Sequence, residues 1–143
     1  MASVSEDEAS GRAPWHLWAV GVAGLLWNAF PAVDYTMTRL HVASWLADVP
    51  PPMLAAIAAF PLWVSIAWAL GVWGSFFGAL LLLARRSLAL WSFVVSLAGL
   101  VALNLYLPRV GIPTQPVLLM TITCVLLLEI YYAWRQAKGG VLR

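Results

Sequence analysis

The sequence predicts an all-α protein built as a four-helix transmembrane bundle. Of its 143 residues, 63% are hydrophobic and 10% are charged, whereas soluble domains average roughly 45–50% apolar and about 25% charged residues. Four separate segments are also long and apolar enough to cross the bilayer core, which takes about 20 residues. A soluble domain of this size could not bury so much apolar surface, so lipid is the expected solvent of these side chains.

Charged residues and prolines predict the ends of the four spans, which are residues 15–33, 62–84, 88–107 and 115–134. Arg85 and Arg86 end the second span with a tight turn into the third, because a charged side chain is costly in hydrocarbon. Pro108 and Pro113 break the chain before the fourth span. Pro116 is expected in the first turn of the fourth helix, where its missing N–H has no cost.

The long connection between the first two spans is predicted to contain a short interfacial helix. Val42, Trp45 and Leu46 fall at helical spacing, and an amphipathic helix of this kind lies in the plane of the headgroups. The prolines at 50–52 end that helix. Residues 53–60 can form a second short helix that breaks before the second span.

Basic residues predict that both termini face the cytoplasm. This orientation places six basic residues inside and leaves only Arg39 and Arg109 outside, in keeping with the excess of Lys and Arg in cytoplasmic loops. Residues 1–14, which are polar and acidic, are then a disordered cytoplasmic tail. Residues 135–143, which contain adjacent glycines, are predicted to be a flexible cytoplasmic tail. The acidic start also argues against a cleavable signal peptide.

Small residues predict where the helices pack, because helices in lipid associate through close contact at small side chains and through hydrogen bonds. The second and third spans carry six such residues: Gly71, Gly74, Ser75, Gly78, Ser92 and Ser96. The fourth span is bulky and is expected to face lipid or a partner protein. The pair Gly74 and Gly78 has an alternative interpretation, which is self-association of two copies.

Polar and aromatic residues at the predicted outer side suggest a ligand site. They are Asn28, Asp34, Tyr35, Arg39, His41, Trp45 and Asn104. Together they can line an outward-facing cavity for a small polar ligand. In the alternative interpretation the aromatic residues are interfacial anchors, the two asparagines bond each other across helices, and Asp34 pairs with Arg39.

Glu129 is the one carboxylate well inside a predicted span. It lies about 9 Å along the helix from Arg135. It is therefore expected to reach the cytoplasmic interface or to pair with Arg85 or Arg86. The alternative is a role in proton coupling or in binding a partner, because ionisable groups at membrane depth are often functional.

Several kinds of chemistry find no support in the sequence. It contains no cluster of metal-ligand residues and no phosphate-binding glycine loop. His16 and His41 lie near opposite membrane faces, so they cannot ligate one haem, and Cys124 has no partner for a disulfide. Basic residues are too few for nucleic-acid binding. We therefore expect a protein that is not an enzyme and that has no cofactor and no metal.

Two stretches resemble a family of small proteobacterial membrane proteins that are often labelled sugar transporters. They are WNAFPAVDYTMT, residues 27–38, and FPLWVSIAWALGVWGSFFGALLLLARR, residues 60–86. The resemblance extends to about Tyr106 and implies a four-span protein of the bacterial inner membrane. The family's polar segment before the Phe-Pro pair is replaced here by Pro50–Met53, so a function of that loop is not carried over. The resemblance assigns no site residues.

These observations predict a non-catalytic membrane protein that is an accessory or self-associating subunit of a membrane complex. Its expected partners are the lipid bilayer and either another membrane protein or a second copy. The alternative is an oligomeric small-solute transporter or channel with an outward-facing polar and aromatic site. Four helices enclose little space, so that alternative requires at least a dimer.

Overall fold

The computed structural model describes residues 13–143, and this range is helical without a β-strand. Four of its helices are long and apolar enough to cross a membrane. The predicted all-α four-helix bundle is confirmed, and the chain is a multi-pass membrane protein. The helices are α1 (Trp15–Arg39), α2 (Ala43–Leu46), α3 (Pro51–Ala58), α4 (Leu62–Leu83), α5 (Leu88–Tyr106) and α6 (Pro116–Lys138), with a 3-10 helix (Leu107–Val110) extending α5.

Helix α1 is longer than the predicted span 15–33, because the polar side chains of its last turns have hydrogen-bond partners. The Thr36 hydroxyl donates to the carbonyl of Ala32 (2.7 Å), and Asp34 accepts a bond from Trp45 (2.9 Å). Arg39 lies in the last turn, where a cation interacts favourably with the helix dipole. At about 1.5 Å per residue the helix is about 37 Å long, so its polar end extends beyond the hydrocarbon core.

The connection from α1 to α4 contains the two predicted short helices with different bounds. The interfacial helix is a single turn, α2, which has no buried residue. Helix α3 begins at Pro51, earlier than predicted, with proline in its first turn. Phe60 and Pro61 then separate α3 from α4, as expected from the length that one continuous helix would have.

The close packing of α4 against α5 depends on the small residues that the sequence singled out. The hydroxyl of Ser92 donates to the carbonyl of Gly74 (2.7 Å), and that of Ser96 donates to the carbonyl of Gly71 (2.5 Å). A side chain at Gly78 would lie 2.7 Å from the ring of Phe93. This surface packs α4 against α5 within the chain, as the sequence predicted for helix packing; the alternative, in which Gly74 and Gly78 join two copies, stays a prediction.

One end of the bundle is closed by an apolar core. This end, which we call the terminal end, brings together the start of α1, the end of α4, the start of α5 and the end of α6. Leu17, Leu82, Phe93 and Ala133 are buried there in one cluster. The opposite end, where α2 and α3 lie, is called the loop end.

The prediction of a flexible tail over residues 135–143 is wrong. Helix α6 continues to Lys138, and Gly140 then reverses the chain with a φ of 71°. The backbone N–H of Arg143 donates to the carbonyl of Arg85 (2.8 Å), and the N–H of Ser87 donates to the carbonyl of Arg143 (2.9 Å). Leu142 is only 5% exposed. The tail is therefore part of the terminal end. The other predicted tail, residues 1–14, lies almost entirely outside the described residues.

Helices α1 and α6 close the bundle through long side chains. The extensive helix contacts join α1 to α4, α4 to α5, and α5 to α6. Two hydrogen bonds link α1 to α6: one between His16 Nδ1 and the Tyr132 hydroxyl (2.5 Å), and one between Asn28 and Glu129 (2.8 Å). Helix α6 is the least buried of the four spans.

Candidate functional site

A cavity of about 630 Å³ lies between the four long helices in the half of the bundle toward the loop end. This volume falls in the range of roughly 300–1,000 Å³ that is typical of small-molecule sites. Most of its wall is apolar, with Leu100, Leu103 and Leu119 among the lining residues. Its polar lining residues are Asn28, Asp34, Ser75, Ser96, Asn104, Thr114, Gln115 and Glu129.

Asn28 and Glu129 meet at the floor of this cavity. The side-chain amide of Asn28 donates both to Glu129 Oε1 (2.8 Å) and to the carbonyl of Gly24 (2.8 Å). Glu129 is 6% exposed. Asn28 lies about 20 Å along α1 from Trp15, near the middle of this 25-residue helix.

Glycine at position 24 makes room for the carboxyl group of Glu129. A Cβ atom built on Gly24 would lie 2.7 Å from Glu129 Oε1, and 3.9 Å from the Cβ of Ala79. Any side chain there would therefore displace the carboxyl group. The small residues of α1 thus serve two purposes: Gly21 lies against the side chain of Leu83 in α4, and Gly24 lies against a polar group.

The second oxygen of Glu129, Oε2, is buried and has no hydrogen-bond partner. The expected pairing with Arg85 or Arg86 is wrong, because Glu129 bonds Asn28 and lies at the cavity floor. A buried polar atom without a partner is costly, and most such atoms in folded proteins have one. Because Glu129 lines the cavity, a ligand there could supply the missing hydrogen-bond donor to its carboxyl group.

The structure brings together three of the seven residues predicted to bind a ligand. Asn28, Asp34 and Asn104 line the cavity. The two asparagines do not bond each other, since the amide of Asn104 donates to the carbonyl of Leu100 (2.9 Å). Asp34 accepts its hydrogen bond from Trp45 (2.9 Å), which replaces the expected pairing with Arg39.

The other four predicted residues lie outside the cavity lining. The ring of Tyr35 packs edge-on against Trp68 with 4.8 Å between centroids. Trp45 lies on α2 and holds this helix to α1 through its bond to Asp34. Arg39 and His41 are exposed at the end of α1, and His41 adopts a left-handed conformation with a φ of 54°.

Aromatic rings support the cavity wall at the loop end. Phe60 contacts Trp68 and Tyr106 with centroid distances of 6.2 and 5.8 Å, and Trp63 contacts Tyr106 at 5.4 Å. Edge-to-face pairs of this kind are stabilising beyond the area they bury. They attach the end of the long connection to α4 and α5. Met53 of α3 lies over the cavity and forms part of its lining.

The cavity also opens on the side of the bundle. Leu26 and Phe30, which flank Asn28 on α1, line the cavity and are 70% and 68% exposed. Leu118 on α6 is likewise both a lining residue and exposed. Because these side chains lie within apolar spans, this opening between α1 and α6 faces the bilayer.

Sequence reasoning missed several members of the site. Ser75 and Ser96 were assigned only to helix packing, and Gln115 only to the start of the fourth span, yet all three line the cavity. Glu129 was placed near the interface because its helix was expected to end at Trp134. The signal available in the sequence was that Asn28 and Glu129 are polar side chains well inside the first and fourth apolar spans.

The described residues contain no group of three or more His, Cys, Asp or Glu side chains that could hold a metal ion. Cys124 is exposed on α6. The chemistry that the site offers is therefore hydrogen bonding and charge at its floor, with apolar contact along its walls.

Comparison with known proteins found no relative of this chain. No protein-family model, curated protein or solved structure matches the chain. The resemblance to small proteobacterial membrane proteins, which rests on residues 27–38 and 60–86, stays a prediction.

Proposed function

We propose that this protein binds a small, mainly apolar molecule in its central cavity and serves as the solute-binding element of a membrane transporter. The observation that carries the proposal is that a cavity of about 630 Å³ is lined at its floor by Glu129, a buried residue whose Oε2 has no hydrogen-bond partner. Binding sites usually combine an apolar wall with a few polar groups that fix the orientation of the ligand. The proposed activity is binding and passage, without catalysis.

The proposed location is the bacterial inner membrane, with both termini in the cytoplasm. The distribution of basic residues supports this orientation: Arg85, Arg86, Arg135, Lys138 and Arg143 lie at the terminal end, and Arg39 and Arg109 at the loop end. The cavity would then face outward. In this orientation the buried cluster around Phe93 would close the cytoplasmic side, as in one access state of a transporter. Movement of α6 against α1 would have to open the other side.

A second candidate is the accessory subunit of a membrane complex, and the exposed face of α6 favours it. Met120, Leu128 and Tyr131 are among its exposed large side chains. These residues can face either lipid or a partner helix. This candidate needs no ligand in the cavity, so an occupancy measurement separates the two.

The test is native mass spectrometry of protein extracted gently from its own membranes, with two matched variants. Leu119→Trp places a bulky indole ring in the cavity. Leu128→Trp places the same ring on the exposed side of the same helix. We expect a small bound molecule in the wild type and in Leu128→Trp, and a clear loss of it in Leu119→Trp.

Equal occupancy in all three proteins, or no bound molecule in the wild type, would contradict the proposal. A defined complex with another membrane protein and an empty cavity would support the accessory-subunit candidate instead.

A further inference from the structure

The charged residues that line the cavity are both acidic. They are Asp34 on the loop side and Glu129 at the floor, and the described lining contains no Lys, Arg or His. Charge complementarity between a site and its ligand favours the matching partner and disfavours the wrong one. A cavity with this lining is therefore suited to a cation and unsuited to an anion.

The hydrogen bonds at the floor point to the same kind of ligand. Glu129 Oε1 is already occupied by Asn28 (2.8 Å), while Oε2 has no donor. A carboxylate can accept about four hydrogen bonds, and those from charged donors are roughly twice as strong as neutral ones. Glu129 lines the cavity, so a donor group at the floor lies next to this carboxyl group.

The remainder of the cavity requires an apolar body. Its walls are largely leucine and aromatic side chains, and it opens toward the bilayer beside Leu26 and Phe30. A molecule that enters there must be soluble in the membrane, while a molecule that binds Glu129 must carry a polar donor. Both requirements are met by an amphiphile with one cationic head.

We propose that the ligand class of this site is an amphiphilic organic amine. Its protonated nitrogen donates to Glu129 at the floor, and its apolar body lies along the walls formed by α1, α5 and α6. The inference rests on the proposed function, since it assumes that the cavity binds a small molecule, and it adds the chemical class of that molecule.

The test uses three probes that share a naphthalene ring: the amine 1-naphthylmethylamine, the alcohol 1-naphthalenemethanol and the carboxylate anion of 1-naphthaleneacetic acid. Their binding is measured by equilibrium dialysis against the full-length protein in lipid nanodiscs, with empty nanodiscs to subtract partition into lipid. Two variants accompany the wild type. Glu129→Gln keeps an oxygen that can accept the bond from Asn28, and Asp48→Asn removes a carboxylate that is exposed and lies outside the cavity lining.

We expect the amine to bind the wild type about tenfold more tightly than the alcohol, which corresponds to one strong charge-assisted hydrogen bond. Glu129→Gln should abolish this preference while retaining the binding of the alcohol, and Asp48→Asn should keep it. The inference is overturned, with the proposed function still standing, if the alcohol or the carboxylate binds as well as the amine, or if the preference survives in Glu129→Gln. Absence of binding by all three probes to folded protein would overturn both.

Discussion

The contact between α4 and α5 leaves no room for a side chain at Gly99. A Cβ atom at this position would overlap the carbonyl oxygen of Ala67 and would lie 2.6 Å from the backbone N and 3.0 Å from the Cα of Gly71. All of these are backbone atoms, so the clash cannot be relieved by a side-chain rotation. The substitution Gly99→Ala must therefore separate the two helices.

The expected loss of stability for Gly99→Ala combines two effects. Overpacking of a well-packed contact costs about 1–3 kcal/mol. Separation also weakens the bonds that Ser92 and Ser96 donate across the interface, and an interhelical hydrogen bond in a membrane contributes about 0.6 kcal/mol. The sum is a decrease of about 2–4 kcal/mol in the free energy of unfolding.

The assay is reversible unfolding in mixed micelles, followed by circular dichroism, with Gly139→Ala as the matched control. A Cβ at Gly139 would meet its nearest neighbour, the carbonyl oxygen of Arg135, at 3.4 Å, which is an ordinary contact. Its φ of −77° suits any residue. If Gly99→Ala and Gly139→Ala unfold within about 0.5 kcal/mol of each other, which is the range of neutral surface changes, the described packing of α4 on α5 is incorrect.

Two further predictions concern the site and the terminal end. Gly24→Ala should displace the carboxyl group of Glu129, because its Cβ would lie 2.7 Å from Oε1. The preference of the cavity for the amine probe should then fall several-fold, while the unfolding midpoint stays close to that of the wild type. An unchanged preference would show that Gly24 does not position the carboxyl group. Leu142→Ala should lower the free energy of unfolding by about 2–5 kcal/mol, since Leu142 is buried in the terminal core; the neighbouring Val141→Ala, which is only half-buried, should cost less. Equal, small effects in equilibrium unfolding would mean that the tail is not docked.

The order and number of the spans could be predicted from local sequence. Hydropathy and the breaks at Arg85 and Pro116 are properties of short segments, so they do not depend on how the helices pack. The last turns of α1 could not be predicted in this way. Asp34 looks like the start of a loop, but in the structure its carboxylate accepts a bond from Trp45, a residue of the following helix.

The candidate site could be predicted only in part. Asn28, Asp34 and Asn104 line one cavity, in keeping with the tendency of polar residues in apolar spans to face the protein interior; that they bind a ligand stays a prediction. Glu129 was assigned to arginine partners because its helix was expected to end at Trp134. The additional turn to Lys138 places Glu129 about 13 Å from the helix end, which is deep enough to reach Asn28.

The sequence by itself determined that this protein has four apolar helices, a structured connection after the first and small residues for close packing, since each of these is a local pattern. Only the tertiary structure decided that Asn28 and Glu129 meet. Their positions are 101 residues apart in the chain, and their contact depends on the rotation of α6 about its own axis. That rotation is determined by side chains on other helices, including the space that Gly24 leaves for the carboxyl group.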